Sequence, residues 1–287
     1  MLALIALAGC GGSSVGAERA TQGEPPAKSP DSAQPTTGPV SARLLADVSH
    51  VAPGQEFTLA IELEIEDGWY VHWKHPGDGG KPTRVAIEAP DGFFPGAPRF
   101  PGPTRFDTEA GESRFGYRQR ALVSIPVIAP DAVRSAKVEL VAEAEWMACR
   151  AGRCQTGRAA PRITLPVATA KTPSQPAHAG RFAAHRQRLP GELADVEGVT
   201  TSWQGVGDEQ AELLIEIAGA TDLMFFPDGD IGLVGQAVTP APGGKALRLW
   251  LDAAGGGRAA GVIRMSRGEA ILYLRLALEI PADPDLD

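Results

Sequence analysis

The sequence predicts an all-β protein built as two β-sandwich domains. Apolar and polar residues alternate over 57–65, 138–146 and 272–280, the period of half-buried strands. Turn clusters such as Pro76-Gly-Asp-Gly-Gly80 separate the patterned runs, and no long helical pattern competes with them. Residues 169–180 (Thr-Ala-Lys-Thr-Pro-Ser-Gln-Pro-Ala-His-Ala-Gly) have the composition of a linker and split the pattern in two. The expected domains are therefore 42–168 and 190–281, joined through 169–189.

Taken in order, the chain opens with an apolar decapeptide ending Leu7-Ala-Gly-Cys10. That ending is similar to a bacterial lipobox, which is cleaved before a cysteine that becomes lipidated. Residues 1–9 read as a signal peptide and Cys10 as a lipid attachment point. The run is far shorter than the roughly 20 residues that span a bilayer. Residues 10–41 are rich in Gly, Ser, Pro, Thr and Ala. They have too little apolar surface to fold and read as a flexible tether.

The first sandwich begins with Phe57, Leu59, Ile61, Leu63 and Ile65. Trp69, Val71 and Trp73 continue on one strand face, with Tyr70, His72 and Lys74 on the other. Further strands are expected at 84–89, 121–128, 137–148 and 162–168. Between them, 90–116 is rich in Pro, Gly and charge and reads as a long irregular loop, a class that is usually functional or disordered. Residues 181–189 suit one or two helical turns that stop before Pro190. The second sandwich rests on Leu213, Ile215 and Ile217, on Leu247, Leu249 and Leu251, and on Leu272 to Ile280. It has no cysteine and so no redox chemistry of its own.

Two of the three cysteines fall in Glu143-Ala-Glu-Trp-Met-Ala-Cys149-Arg-Ala-Gly-Arg-Cys154-Gln-Thr-Gly157. Alternation puts Cys149 on the polar face, opposite Trp146, and Arg150 to Arg153 read as a four-residue hairpin loop. If the two cysteines are the cross-strand pair flanking that loop, their Cα atoms lie roughly 4.5–5.5 Å apart, within reach of a disulfide close to water. So short a loop gives a structural bridge only about 2 kcal/mol of chain entropy. Arg150 and Arg153 flank the sulfurs, and cations favour the attacking thiolate. Spacing and flanks alone leave a redox pair and a structural bridge evenly matched.

A resemblance adds to this. Ala144-Glu-Trp-Met-Ala-Cys149…Cys154, together with Gly68-Trp-Tyr-Val-His-Trp73-Lys-His-Pro-Gly-Asp78-Gly-Gly-Lys-Pro82-Thr83, resembles the periplasmic N-terminal domain of the thiol:disulfide interchange protein DsbD family. It is closer still to the ScsB-like branch. Arg114-Phe-Gly-Tyr-Arg-Gln-Arg120 and Phe225-Phe-Pro-Asp228 look like further elements of that branch. The four motifs spread over most of residues 42–280. The resemblance implies immunoglobulin-like sandwiches and a cysteine pair that passes electrons to thioredoxin-fold periplasmic proteins. Cys154 would be the cysteine joined to the partner, and a loop would cap the pair, with Phe106, Phe115 and Tyr117 the candidates. Trp69, Trp73 and Trp146 would build the core beneath. The sequence departs from the family at Gln155-Thr-Gly157, where a proline-containing run often follows the second cysteine. The family's membrane-spanning and thioredoxin-like parts have no counterpart in these residues, so a separate membrane electron donor is expected, in a Gram-negative-type bacterium.

Composition narrows the alternatives. At 287 residues there is room for two domains, and 43% hydrophobic residues suffice for packed cores. A net charge of −8 argues against nucleic acid. No phosphate-binding loop, dinucleotide fingerprint or hydrolase context appears, no cofactor is implied, and membrane contact is expected through the lipid anchor only. Two other readings remain. One is a binding or scaffolding lipoprotein with an inert disulfide. The other is a zinc or copper site using His72, His75, Cys149 and Cys154, although alternation sends the two histidines to opposite faces.

Overall fold

A computed structural model describes residues 38–168, 174–204, 210–252 and 257–281. Cys10, the signal segment and most of the tether lie outside the described residues. The strands in chain order are β1 (Val40–Ala46), β2 (Glu56–Ile65), β3 (Tyr70–Gly77), β4 (Arg84–Glu88), β5 (Phe94–Pro95), β6 (Thr104–Asp107), β7 (Ser113–Arg118), β8 (Arg120–Ile128), β9 (Lys137–Arg150), β10 (Arg153–Ala159) and β11 (Arg162–Pro166). After a helix, α1 (Ala179–Arg186), come β12 (Gly191–Glu192), β13 (Val199–Gln204), β14 (Gln210–Ala218), β15 (Asp222–Pro227), β16 (Leu233–Ala241), β17 (Gly244–Asp252), β18 (Arg258–Arg267) and β19 (Ala270–Glu279). The fold is all-β and immunoglobulin-like, as expected.

In the first sandwich a sheet ordered β1-β2-β8-β5 faces a larger one ordered β10-β9-β3-β7-β6, with β4 and β11 also paired to β9. In the second, β12-β19-β18-β15 faces β13-β14-β17-β16. Alternation does the work that the sequence promised. Val138, Leu140, Ala142, Ala144 and Trp146 of β9 point into the first core, while Glu139, Glu143 and Glu145 are exposed. The long β9 is the spine of its sheet because β10 and β11 share one side of it, and β3 and β4 share the other.

One expectation is corrected. The stretch 90–116 is not irregular: it contains β5, β6 and most of β7. The β6–β7 pair is a hairpin, Thr104↔Gly116 to Asp107↔Ser113. Its charged, glycine-containing residues mask any alternation because much of one face meets water.

The two sandwiches share core residues. Phe225 and Phe226 on β15 are both fully buried, and neighbours on a strand face opposite ways. Phe225 packs into the second core. Phe226, with Val262 and Tyr273, belongs to the first. Lys74 of β3 pairs with Asp228 just beyond β15. The motif Phe225-Phe-Pro-Asp228 is thus the joint between the sandwiches.

Of residues 169–189, those from 174 onward are described and lie along the first sandwich. The Ser49 N–H donates to the Gln175 carbonyl and the Ala177 N–H to the Asp47 carbonyl. Phe182 of α1 packs on Leu45, Ala60 and Leu122. Arg181 reaches Glu62, a fully buried carboxylate that Arg43 and Arg120 also contact. Such burial is tolerated because guanidinium groups replace the lost water.

His185 of α1 is buried, with Nε2 2.8 Å from Ser124 Oγ and Nδ1 unpartnered. Burial first, and then Arg188 and Arg186, push its pKa down to about 4. The folded state therefore favours neutral imidazole, and this stability is full above about pH 6.5 and is lost as pH falls toward 4. Urea midpoints are expected to fall by the equivalent of about 2–3 kcal/mol between pH 7 and 4.5 from this group. His185→Gln should flatten that part of the profile, and an unchanged slope would exclude His185 as its source.

Candidate functional site

The site forms where β9 turns into β10. The turn is Ala151-Gly152, both at positive φ (46° and 76°), so the hairpin loop has two residues and not four. That geometry matches the right-handed twist of the flanking strands, and glycine takes such φ values without a Cβ clash. Arg150 and Arg153 consequently sit directly opposite each other, and Cys154 opposite Cys149. The cysteines are disulfide-bonded, with Cα atoms 4.1 Å apart.

The two sulfurs differ in setting. Cys154 is exposed, whereas Cys149 is 2% exposed. Alternation does place Cys149 on the face opposite Trp146, but that face is covered here. Tyr70 of β3 pairs with Cys149 on the side away from Cys154. Phe106 from the β6–β7 hairpin lies on Tyr70 at 4.8 Å between ring centroids. The Arg118 guanidinium sits 4.7 Å over Phe106. Burial raises the Tyr70 pKa, against the pull of Arg114 and Arg118, so the phenol stays neutral.

The arginines of the turn are not equivalent either. Arg150 stacks over Trp69 at 5.1 Å, while Arg153 extends into water. Like charges directly opposite on a hairpin repel. The disulfide therefore holds closed a turn that its own flanks push apart.

The other cap candidates face the opposite way. Phe115 and Tyr117 are buried in the core and do not cover the sulfurs. Phe115 meets Phe226 edge-to-face at 5.0 Å, and the Tyr117 hydroxyl donates to the Pro101 carbonyl at 2.7 Å. Their odd-numbered register on β7 points them at the joint between sandwiches. Trp73 and Trp146 are core residues, and Trp69 is partly buried against them.

The structure does not assemble the four metal-ligand candidates. His72 is fully buried, with Nδ1 3.0 Å from the Lys81 carbonyl and its pKa lowered chiefly by burial. His75 lies against Phe115, and among the described residues no group of three or more His, Cys, Asp or Glu side chains is placed to hold a metal ion. Tyr70 was missed as a site residue. The signal was available, since Tyr70 lies on the solvent face of β3 beside an apolar face that needed no further aromatic.

Residues 41–161 match the family described as thiol:disulfide interchange protein DsbD, N-terminal. The fold is similar to the N-terminal periplasmic domain of ScsB from Proteus mirabilis, at 16% identity and a TM-score of 0.58, covering 83% of this chain and 93% of that one. A conserved domain protein from Bacillus anthracis aligns at 9% identity over 88% of this chain and 92% of its own, with a TM-score of 0.25. At that score the likeness carries no weight. No curated protein matches the sequence. The matched motifs, the sandwich and the bonded cysteine pair together make residues 41–161 a DsbD N-terminal-like domain.

Proposed function

We propose that this chain is a periplasmic thiol–disulfide exchange module whose working pair is Cys149 and Cys154. The observation that carries the reading is the asymmetry of the bond, an exposed Cys154 joined to a buried Cys149 whose strand neighbour Tyr70 stacks with Phe106. Exchange requires in-line access to one sulfur and a leaving thiolate at the other. An incoming thiolate attacks Cys154 Sγ, the S–S bond breaks, and Cys149 leaves as the thiolate. The partner's second thiolate then attacks its own sulfur in the mixed disulfide and releases Cys154. The pair gains two electrons and the partner becomes the disulfide. Donation to an acceptor runs the same steps in reverse. Phe106 and Arg118 form the cap that limits which thiols reach the bond, and Arg150 and Arg153 stabilise the thiolates.

The partners are thioredoxin-fold periplasmic proteins, with a separate membrane electron donor. Residues 42–168 are the redox domain and 190–281 its companion. Equilibration with defined thiol buffers tests the reading. A potential well above −300 mV is expected, whereas an inert structural bridge lies below about that value.

Cys10 is the point of lipid attachment that holds the module at a membrane surface. No helix among the described residues is long and apolar enough to cross a membrane. Intact-mass measurement of membrane-extracted protein should find Cys10 acylated and amino-terminal, with more than one chain, because a single acyl chain binds only weakly. An unmodified Cys10 would remove the anchor.

A further inference from the structure

On β10, Cys154, Thr156 and Arg158 share one face, and their partners Cys149, Met147 and Glu145 continue it across β9. Arg84 of β4 pairs with Glu145 from the other side. One row thus reads Arg84, Glu145, Arg158, on the same face as the disulfide and four residues along the strand. That is roughly 14 Å from Cys154. A cavity of about 580 Å³ opens there, lined by these three residues and by Lys81, Trp146 and Gly157. Gly157 is required, because a Cβ at that position would fall 2.5 Å from the Trp146 indole.

The charge of this cavity is unbalanced. Glu145 pairs with Arg158 at 3.3 Å, whereas neither the Lys81 ammonium nor the Arg84 guanidinium has a carboxylate partner among the described residues. Three cations against one carboxylate line the cavity, on a protein whose net charge is −8. Among the described residues β10 ends its sheet and pairs with β9 alone, which leaves its other edge for main-chain pairing.

We infer that β10 and the Lys81–Arg84–Arg158 cavity dock an extended acidic segment of the exchange partner, with carboxylates about four residues from its reactive cysteine. The inference rests on the exchange reading above. Main-chain pairing along an open edge supplies register, and the charges supply selection and encounter rate. The segment's cysteine arrives over the exposed Cys154, and its carboxylates reach the cavity. Its thiolate bonds to Cys154 Sγ as the Cys149–Cys154 bond breaks and Cys149 departs as the thiolate. Arg150 and Arg153 favour any anionic thiol, so only the distant charges report on the groove.

The test uses the full chain and synthetic extended peptides, each with one cysteine. One carries three glutamates beginning four residues from the cysteine, and the other has glutamines there. The rate of disulfide opening, corrected for each peptide's thiolate fraction, is compared with that of uncharged mercaptoethanol. At low salt the acidic peptide should react about tenfold faster than the neutral one. The advantage should vanish in the double variant Lys81→Glu, Arg84→Glu, while the mercaptoethanol rate stays the same. An advantage that survives the double variant overturns the groove. Should mercaptoethanol fail to open the bond, the exchange reading fails instead. The groove is then judged by fluorescence anisotropy of the acidic peptide with serine for cysteine. Binding that the double variant abolishes supports it, and no binding rejects it.

Discussion

Cys149→Ala is expected to accumulate a mixed disulfide through Cys154, visible as a thiol-sensitive adduct on non-reducing electrophoresis of periplasmic extract. The exposed sulfur remains available for attack or for capture, but the group that would displace the partner is gone. Cys154→Ala should trap far less, because the remaining thiol is buried beside Tyr70. Multiple-turnover exchange should be lost in both. Stability should change little, since closing so short a loop contributes only about 2 kcal/mol. A staple without function would yield no adduct from either variant. Equal trapping by both would mean that the cover over Cys149 gives no protection.

The second large effect is expected from Phe226→Ala compared with Phe225→Ala. Each removes a fully buried ring and should cost about 3–5 kcal/mol. The consequences should separate by core. Phe226 touches Phe115 on β7 and approaches Trp73 on β3 at 6.4 Å. Its loss should therefore loosen the β6–β7 hairpin, which carries Phe106 over the site. Phe225 lies in the second core and should leave the hairpin alone. Amide hydrogen exchange across 104–118 distinguishes the two, and equal loosening by both would dissolve the distinction. A looser hairpin should also speed attack by bulky thiols.

The strands that build the cores were legible because each buries one face against a sheet partner, as 57–65 and 137–148 do, and alternation then records burial directly. The β6–β7 hairpin was not. Arg105, Asp107 and Arg118 face water and Arg114 is partly buried, so its inward residues, Phe115 and Tyr117, stand among charges without a visible period. The parity of Cys149 was readable from β9 alone, but its burial was not. Its strand neighbour is Tyr70, more than 40 residues away in sequence and itself stacked with Phe106, and local periodicity carries no information about what another strand places alongside. The turn was misjudged for a simpler reason. Arginine is a common residue on either side of a hairpin loop, and only the positive φ of both Ala151 and Gly152 fixes the loop at two residues. The division of labour between Phe225 and Phe226 follows from strand parity, yet which core each ring enters depends on packing between sandwiches.

The position of β10 at the end of its sheet also bears on crowding. An open strand edge is a template for a second copy of the same strand. Two antiparallel copies of Arg153-Cys-Gln-Thr-Gly-Arg158-Ala, centred on Thr156, would set Cys154 of each chain against Arg158 of the other, with Arg153 one position further out. The strand has no acidic residue, so each end of such a pair gathers Arg153 of one chain beside Arg158 of the other, and charged edges of one sign disfavour pairing. The chain can therefore stand at high density without zippering edge to edge. Replacing Arg153 and Arg158 with glutamine would leave the fold intact and remove that safeguard against self-association.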